Sequence, residues 1–132
     1  MLAVNSYKPD YVARSLKAIE AQLKAYRALP KGPERNAFEP IFFRHLVLAL
    51  DHYFLHRQRS NEGKEGSPAN EVRMLCNAIH DNGGVLAKDT QIKYDPAKSV
   101  TGIKFGEEIV LDEKRFSKLA YAFVEDIAKR YP

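Results

Sequence analysis

Three histidines, His45, His52 and His56, are the residues whose type and spacing could best support chemistry in this sequence. At about 100° per residue of an α-helix, His52 and His56 fall within about 20° of His45 on either side, so the three form one stripe. Imidazole is the side chain most often used for proton transfer and metal binding near neutral pH. The stripe is therefore the first place to look for an active or binding site.

The spacing of the histidines raises the question of a metal site. His52 and His56 are four residues apart, which allows both rings to reach one ion. A zinc-binding helix often has a glutamate directly after the first histidine, whereas here Tyr53 follows His52. Cys76 and His80 form a second pair with the same spacing, and antiparallel packing of the two helices could bring all four ligands together. Cys76 is better explained as a small buried hydrophobic residue, so we predict no metal and no cofactor.

Two arginines follow the histidine stripe and suggest a different chemistry. Arg57 and Arg59 come at the carboxyl end of the predicted helix, where the helix dipole favours cationic side chains. Together with two imidazoles they would make a positive patch suited to a carboxylate or a phosphate. The sequence therefore predicts an anionic small ligand bound by His52, His56, Arg57 and Arg59. A cationic cap on the helix end is the simpler alternative.

Four amphipathic stretches predict the helices that position these residues. Apolar residues recur at helical spacing in each stretch, and prolines or capping residues mark the starts. The second stretch is apolar around most of its circumference, which indicates a helix central to the fold. The predicted helices run from Pro9 to Leu29, from about Glu34 or Pro40 to Arg59, from Pro68 to about Asn82, and onward from Asp112.

The pattern changes between the third and the last helix. Polar and apolar residues alternate over 91–94 and again over 99–105, as in half-buried strands. Gly106 and Glu107 suit a tight turn into a further strand at 108–111, and Gly102 suggests a bulge. The predicted fold class is therefore α+β: mainly helical, with three N-terminal helices, a small antiparallel β-hairpin or meander, and a C-terminal helix.

Composition limits the class of protein. The chain has 132 residues, 45% of them hydrophobic and 29% charged, which predicts one globular domain over residues 1–132. Its single cysteine cannot form an internal disulfide, and its apolar runs are too short for a membrane span, so we expect a cytoplasmic location. The net charge is +4. Its basic residues form no dense stripe, so nucleic-acid binding is not expected.

Two functions follow as hypotheses. The leading one is a small cytoplasmic binding or interaction domain that forms homo-oligomers and takes an anionic small ligand. Self-association is expected because the helices carry more large apolar residues than so few elements can bury. The alternative is a metal-assisted or histidine-based hydrolase centred on His52 and His56. The sequence specifies neither a substrate nor a reaction.

Overall fold

A computed structural model describes residues 3–132 and shows an α-helical architecture. The helices are α1 (Pro9–Arg27), α2 (Pro33–His52), α3 (Arg59–Glu62), α4 (Pro68–Asp81) and α5 (Glu113–Arg130). Helices α2, α4 and α5 pack against one another, and α1 lies against α2 and α5. A long irregular segment, residues 82–112, connects α4 to α5.

The helix starts follow local sequence chemistry. Ser67 caps α4: its hydroxyl accepts a hydrogen bond from the backbone amide of Asn70, whose side chain in turn accepts from the amide of Ser67. Asp112 caps α5 by accepting from the amide of Arg115 at 2.7 Å. Pro33 begins α2, and Pro40 is accommodated inside that helix. The helix ends at His52 rather than at Arg59 as predicted, and the short α3 forms where a loop was expected.

Helix α2 packs against α1, α4 and α5 and so lies centrally in the fold, as predicted, and α5 likewise packs against three helices. All four main helices contribute to one cluster of buried side chains. The inward face of α2 is fully packed, because the side chains that it contributes there are 5% exposed or less: Phe43, Leu46, Val47 and Leu50. The cluster also includes Ile92, Ile103 and Ile109 from the irregular segment, so this segment is held against the helices by apolar packing.

The predicted α+β class is wrong, because the structure has no β-sheet within residues 3–132. Only isolated bridges occur there, one between Val4 and Arg57 and one between Val85 and Glu108. The expected hairpin across Gly106 and the expected strand at 91–94 are absent from the described chain.

Side-chain acceptors explain why no hairpin forms. Each backbone amide from residue 100 to residue 104 donates to a side-chain oxygen instead of to a neighbouring strand; the acceptors are Glu71 for Val100 and Thr101, Ser99 for Gly102, Thr101 for Ile103, and Glu107 for Lys104. Local side-chain acceptors of this kind compete with strand pairing. The alternation of apolar residues places them in the core, as in a strand, but the backbone donors are already used.

Cys76 is predicted to be chemically inert in the folded protein. Its side chain is buried, and its thiol lies 3.6 Å from the carbonyl oxygen of Val47. Burial, and to a lesser extent the charge of Asp51, raise the pKa of the Cys76 thiol well above its ordinary value, so little reactive thiolate forms.

We expect an aromatic disulfide reagent to label Cys76 slowly in the native state and rapidly in denaturant. In an Asn77→Cys variant, whose new thiol lies at an exposed position of the same helix, one thiol should react fast; equally fast labelling of the unaltered protein would contradict this.

Across residues 3–132, no helix combines the length and the apolar character that a membrane span requires.

Candidate functional site

The three histidines lie at the surface, along α2 and the turn that follows it. His45 and His52 are exposed on α2, and His56 is exposed in the turn. The Nδ1 atom of His45 lies 2.8 Å from the carbonyl oxygen of Ile41, one turn earlier in the helix. Among the described residues, no carboxylate forms a hydrogen bond or salt bridge with His52 or His56. The acid partner that would orient an imidazole as a catalytic base is therefore missing.

Arg57, one of the predicted ligand-binding residues, is engaged inside the protein. Its side chain is 1% exposed and lies 2.7 Å from Glu62 and 2.8 Å from Asp51. The guanidinium also donates to the carbonyl oxygen of Phe54 at 3.0 Å. Arg73 reaches the same carboxylate of Glu62 at 2.9 Å from α4. We call these four charged residues, Asp51, Arg57, Glu62 and Arg73, the buried charge network.

The electrostatics of the network keep Glu62 and Arg57 ionised. Burial disfavours the Glu62 carboxylate, but the hydrogen bonds from Arg73 and the charge of Arg57 outweigh that effect and hold the pKa of Glu62 below its ordinary value. Burial likewise disfavours the charged form of Arg57, and the nearby charges of Asp51 and Glu62 more than compensate, so the pKa of Arg57 is raised. The network joins the end of α2 to α3 and α4, and its function is to position these elements.

The anion site predicted at the end of α2 is therefore reduced to His52, His56 and Arg59. Arg59 is exposed at the start of α3. The two histidines do line one cavity, of about 210 Å³, but the other side chains around it are aromatic or aliphatic: Val4, Tyr7, Tyr11, Tyr53 and Leu55. Neither Arg57 nor Arg59 lines this cavity, so the arginines do not join the two histidines around it. Binding of an anion there stays a prediction.

The four-ligand metal cluster considered from the sequence does not form. Cys76 is buried whereas His52, His56 and His80 are exposed. Within residues 3–132, no three or more histidine, cysteine, aspartate or glutamate side chains are grouped so as to hold a metal ion. His52 and His80 instead line a cavity of about 520 Å³ together with Leu48, Ala49 and Tyr53.

A feature that the sequence analysis missed is an apolar face of α2 that points away from the core. It consists of Phe38, Ile41, His45, Leu48 and His52, and we call it the α2 outward face. Phe38 is 41% exposed and Ile41 is 57% exposed. The spacing of three and four residues places all five on one side of a helix. At about 100° per residue, no charged residue between 36 and 52 lies within about 60° of the centre of this face.

Each end of the α2 outward face adjoins a cavity. Near the amino end, Phe38 and the 40% exposed Leu29 border a cavity of about 400 Å³. Near the carboxyl end lies the cavity of about 520 Å³ lined by Leu48, His52 and neighbouring side chains, and we call it the His52 cavity. Leu55, 45% exposed, extends the apolar surface beyond the helix. The apolar circumference of this helix is visible in the sequence, but it does not show which side packs into the core and which side stays exposed.

The geometry of this surface suits association with another apolar surface. Soluble monomers rarely expose large contiguous apolar patches, and such patches often mark interaction sites. Comparisons with protein families, with curated proteins and with solved structures find no match to this chain.

Proposed function

We propose that this protein is a small interaction domain that self-associates through the α2 outward face. The observation that supports this proposal is that two exposed apolar side chains, Phe38 and Ile41, and the half-buried Leu48 lie on one side of α2 with no charged residue among them. Phe38 and Ile41 are 41% and 57% exposed, so burying the rest of each against a partner would be favourable by about half of the roughly 1.5–3 kcal/mol gained by a fully exposed side chain. This gain must offset the lost freedom of the two associating molecules.

A second copy of the chain fits this surface because Phe38 and the His52 cavity lie equally far from His45, the middle residue of the α2 outward face. Phe38 and His52 are each seven residues from His45, which corresponds to about 10.5 Å along a helix. A twofold axis through His45, with the two α2 helices antiparallel, therefore places Phe38 of one copy over the His52 cavity of the other. The axis relates the two contacts, so both cavities are filled at once.

Charge and side-chain size agree with the antiparallel arrangement. Glu34 is exposed in the first turn of α2 and His52 is exposed in the last, so the antiparallel arrangement brings the carboxylate of one copy towards the end of α2 that bears the imidazole in the other. Ala37 and Ala49 border the face and are small enough for two helices to approach at about 8–10 Å.

Helix α2 is about 30 Å long, so its face alone is smaller than the roughly 800 Å² per partner of a standard interface. We therefore expect a dimer with a dissociation constant on the order of micromolar.

Self-association is expected to be lost when a charge is placed on the face. In Ile41→Glu, an exposed side chain is replaced by a carboxylate that would be buried unpaired in the dimer. We expect sedimentation equilibrium at 5–200 µM (a range of about fortyfold around the expected constant) to show dimerisation of the unaltered protein and a monomer for Ile41→Glu. The thermal unfolding of the monomer should be unchanged, because the side chain lies outside the core.

The matched control is Val110→Glu, since Val110 is a similarly exposed β-branched residue, 48% exposed, on the irregular segment. This variant should dimerise as the unaltered protein does. A monomeric parent at the highest concentration, or dimers that persist in Ile41→Glu, would contradict the proposal.

Cysteine cross-linking distinguishes the antiparallel arrangement from a parallel one. On a twofold axis a residue meets its own copy, so His45→Cys should form an intermolecular disulfide in both arrangements. Phe38→Cys should cross-link to itself only if the helices are parallel. Rapid cross-linking of Phe38→Cys would therefore refute the antiparallel pairing. Both variants would be made in a Cys76→Ser background to remove the native thiol.

We further propose a cytoplasmic, reducing environment for this function, because the chain's one cysteine is unpaired and buried. The hydrolase alternative has less support, since His52 and His56 have no acid partner among the described residues and border apolar cavities.

A further inference from the structure

A second cavity, away from the α2 outward face, lies between the loop that follows α3 and the irregular segment. Its volume is about 520 Å³, within the range of about 300–1,000 Å³ that is usual for small-molecule sites. Lys88, Lys93 and Lys98 line it together with the rings of Tyr94 and Phe105. We call it the lysine pocket.

The walls of the lysine pocket are fixed by the fold. Gly66 lies so close to the opposite segment that a Cβ atom there would be 2.0 Å from the carbonyl oxygen of Lys93, and its φ of +89° also favours glycine. The amide of Lys93 donates to the carbonyl oxygen of Lys64 at 2.8 Å. The hydroxyl of Tyr94 donates to the carbonyl oxygen of Ile103 at 2.6 Å. The segment that bears the lysines is therefore tied down on both sides, although it contains no strand.

An aromatic surface forms part of the wall. The rings of Tyr94 and Phe105 meet edge to face, with centroids 5.4 Å apart and an angle of 65° between their planes. Phe105 is 37% exposed, so part of its ring is open to solvent. Such a ring pair offers apolar area and a geometry that a further planar ring can join.

The charged groups around the pocket differ in how far they are already paired. The three carboxylates that line it each accept hydrogen bonds within the chain: Asp89 from the amides of Gln91 and Ile92, Asp95 from the amide of Ala97, and Glu65 from Arg130 at 2.7 Å. None of the three lysines forms a salt bridge with any residue of the described chain. The pocket thus presents three lysines that have no internal ion-pair partner; of its three carboxylates, Glu65 is paired with Arg130, whereas Asp89 and Asp95 keep their negative charge and are held by backbone amides.

We propose that the lysine pocket binds a small aromatic phosphate, with the phosphate among the ammonium groups and the ring against Tyr94 and Phe105. A lysine ammonium acts as a compact charge with three donors, which suits a phosphate with several acceptor oxygens. The aromatic wall distinguishes this ligand from inorganic phosphate, because only a ring gains from contact with Phe105. Lysine side chains are mobile before binding and must be ordered, so affinity is modest and falls with salt.

Titration calorimetry with phenyl phosphate, phenol and inorganic phosphate at matched ionic strength tests the proposal. We expect phenyl phosphate to bind at least ten times more tightly than either of the other two. The variant with Lys88, Lys93 and Lys98 all changed to glutamine should bind it at least ten times more weakly, and Phe105→Ala should lower its affinity towards that of inorganic phosphate.

The matched control changes three other exposed lysines, Lys17, Lys24 and Lys118, to glutamine. It removes the same total charge from α1 and α5, so it should keep the parent's affinity for phenyl phosphate. Equal affinity for phenyl phosphate and inorganic phosphate, or equal loss of binding in the two triple variants, would refute the proposal. The measurements repeated in Ile41→Glu should give the same result, since the pocket does not depend on self-association.

Discussion

Replacing Glu62 with glutamine is expected to lower the free energy of unfolding by about 3–5 kcal/mol, the usual cost of removing one partner from a buried ion pair. The carboxylate of Glu62 is fully buried and accepts hydrogen bonds from Arg57, Arg73 and Asn70. Glutamine keeps the shape of the side chain but leaves the charge of Arg57, 1% exposed, with Asp51 as its one remaining acidic partner. The loss arises because the network is left with one excess positive charge: Arg57 keeps Asp51, whereas Arg73, whose side chain is 17% exposed, loses the carboxylate it pairs with.

The matched control for this change is Glu65→Gln, three residues away. Glu65 pairs with Arg130 at 2.7 Å, but its side chain is 59% exposed, so water can replace the lost partner. Urea unfolding followed by circular dichroism should show a midpoint that falls sharply for Glu62→Gln and barely changes for Glu65→Gln. Similar midpoints for the two variants would mean that the buried charge network contributes little to stability.

The pH dependence of stability provides a second measurement on the same residue. Because the pKa of Glu62 is lower in the folded protein than in the unfolded chain, its contribution is fully present above the unfolded pKa, about 4.3 for a glutamate. That contribution is lost as the pH falls through the folded value. The parent should therefore lose stability below about pH 5 more steeply than Glu62→Gln does. Equal slopes for the two proteins would argue against an ionised Glu62.

Those elements whose signals are local could be predicted from the sequence. Ser67 and Asp112 cap α4 and α5 as expected, because a capping side chain and its helix are adjacent in the chain. Val12, Ile19 and Leu23 on α1 are buried at the predicted helical spacing. Each of these features depends on residues within one or two turns.

The β-hairpin could not be excluded from the sequence because, although Ser99, Thr101 and Glu107 are local acceptors, the acceptor for two of the five amides is distant in the chain. Glu71 on α4 takes the amide donors of Val100 and Thr101, at 2.9 Å each, across about thirty residues. The apolar alternation around Ile103 describes burial correctly and backbone pairing wrongly. Nothing in the spacing near Gly106 reveals that a carboxylate from another helix is already bonded to this segment.

In the candidate site, too, local features could be predicted from the sequence and contacts between distant residues could not. The helical period placed His45 and His52 on one side of α2, and both are exposed there. It could not show that Arg57 turns inward, because its partner Glu62 lies beyond the end of the helix, in a stretch that was expected to be a polar loop. Nor could it show that the apolar side chains beside these histidines, on the same side of α2, are left uncovered by the rest of the chain.

Leu50→Ala is expected to destabilise the monomer by about 2–5 kcal/mol, which is the cost of removing a large buried aliphatic side chain that its neighbours cannot replace. Leu50 is 1% exposed in the last turn of α2 and belongs to the same core cluster as Phe43 and Phe54, which are fully buried. The matched control is Leu48→Ala, two residues away on the α2 outward face, where the side chain is only half-buried. Both substitutions would be made in Ile41→Glu, so that loss of self-association cannot add to either result. Urea unfolding should give a change for Leu50→Ala at least twice that for Leu48→Ala; the reverse order would mean that α2 is packed through the opposite face, and the proposed interface would then be part of the core.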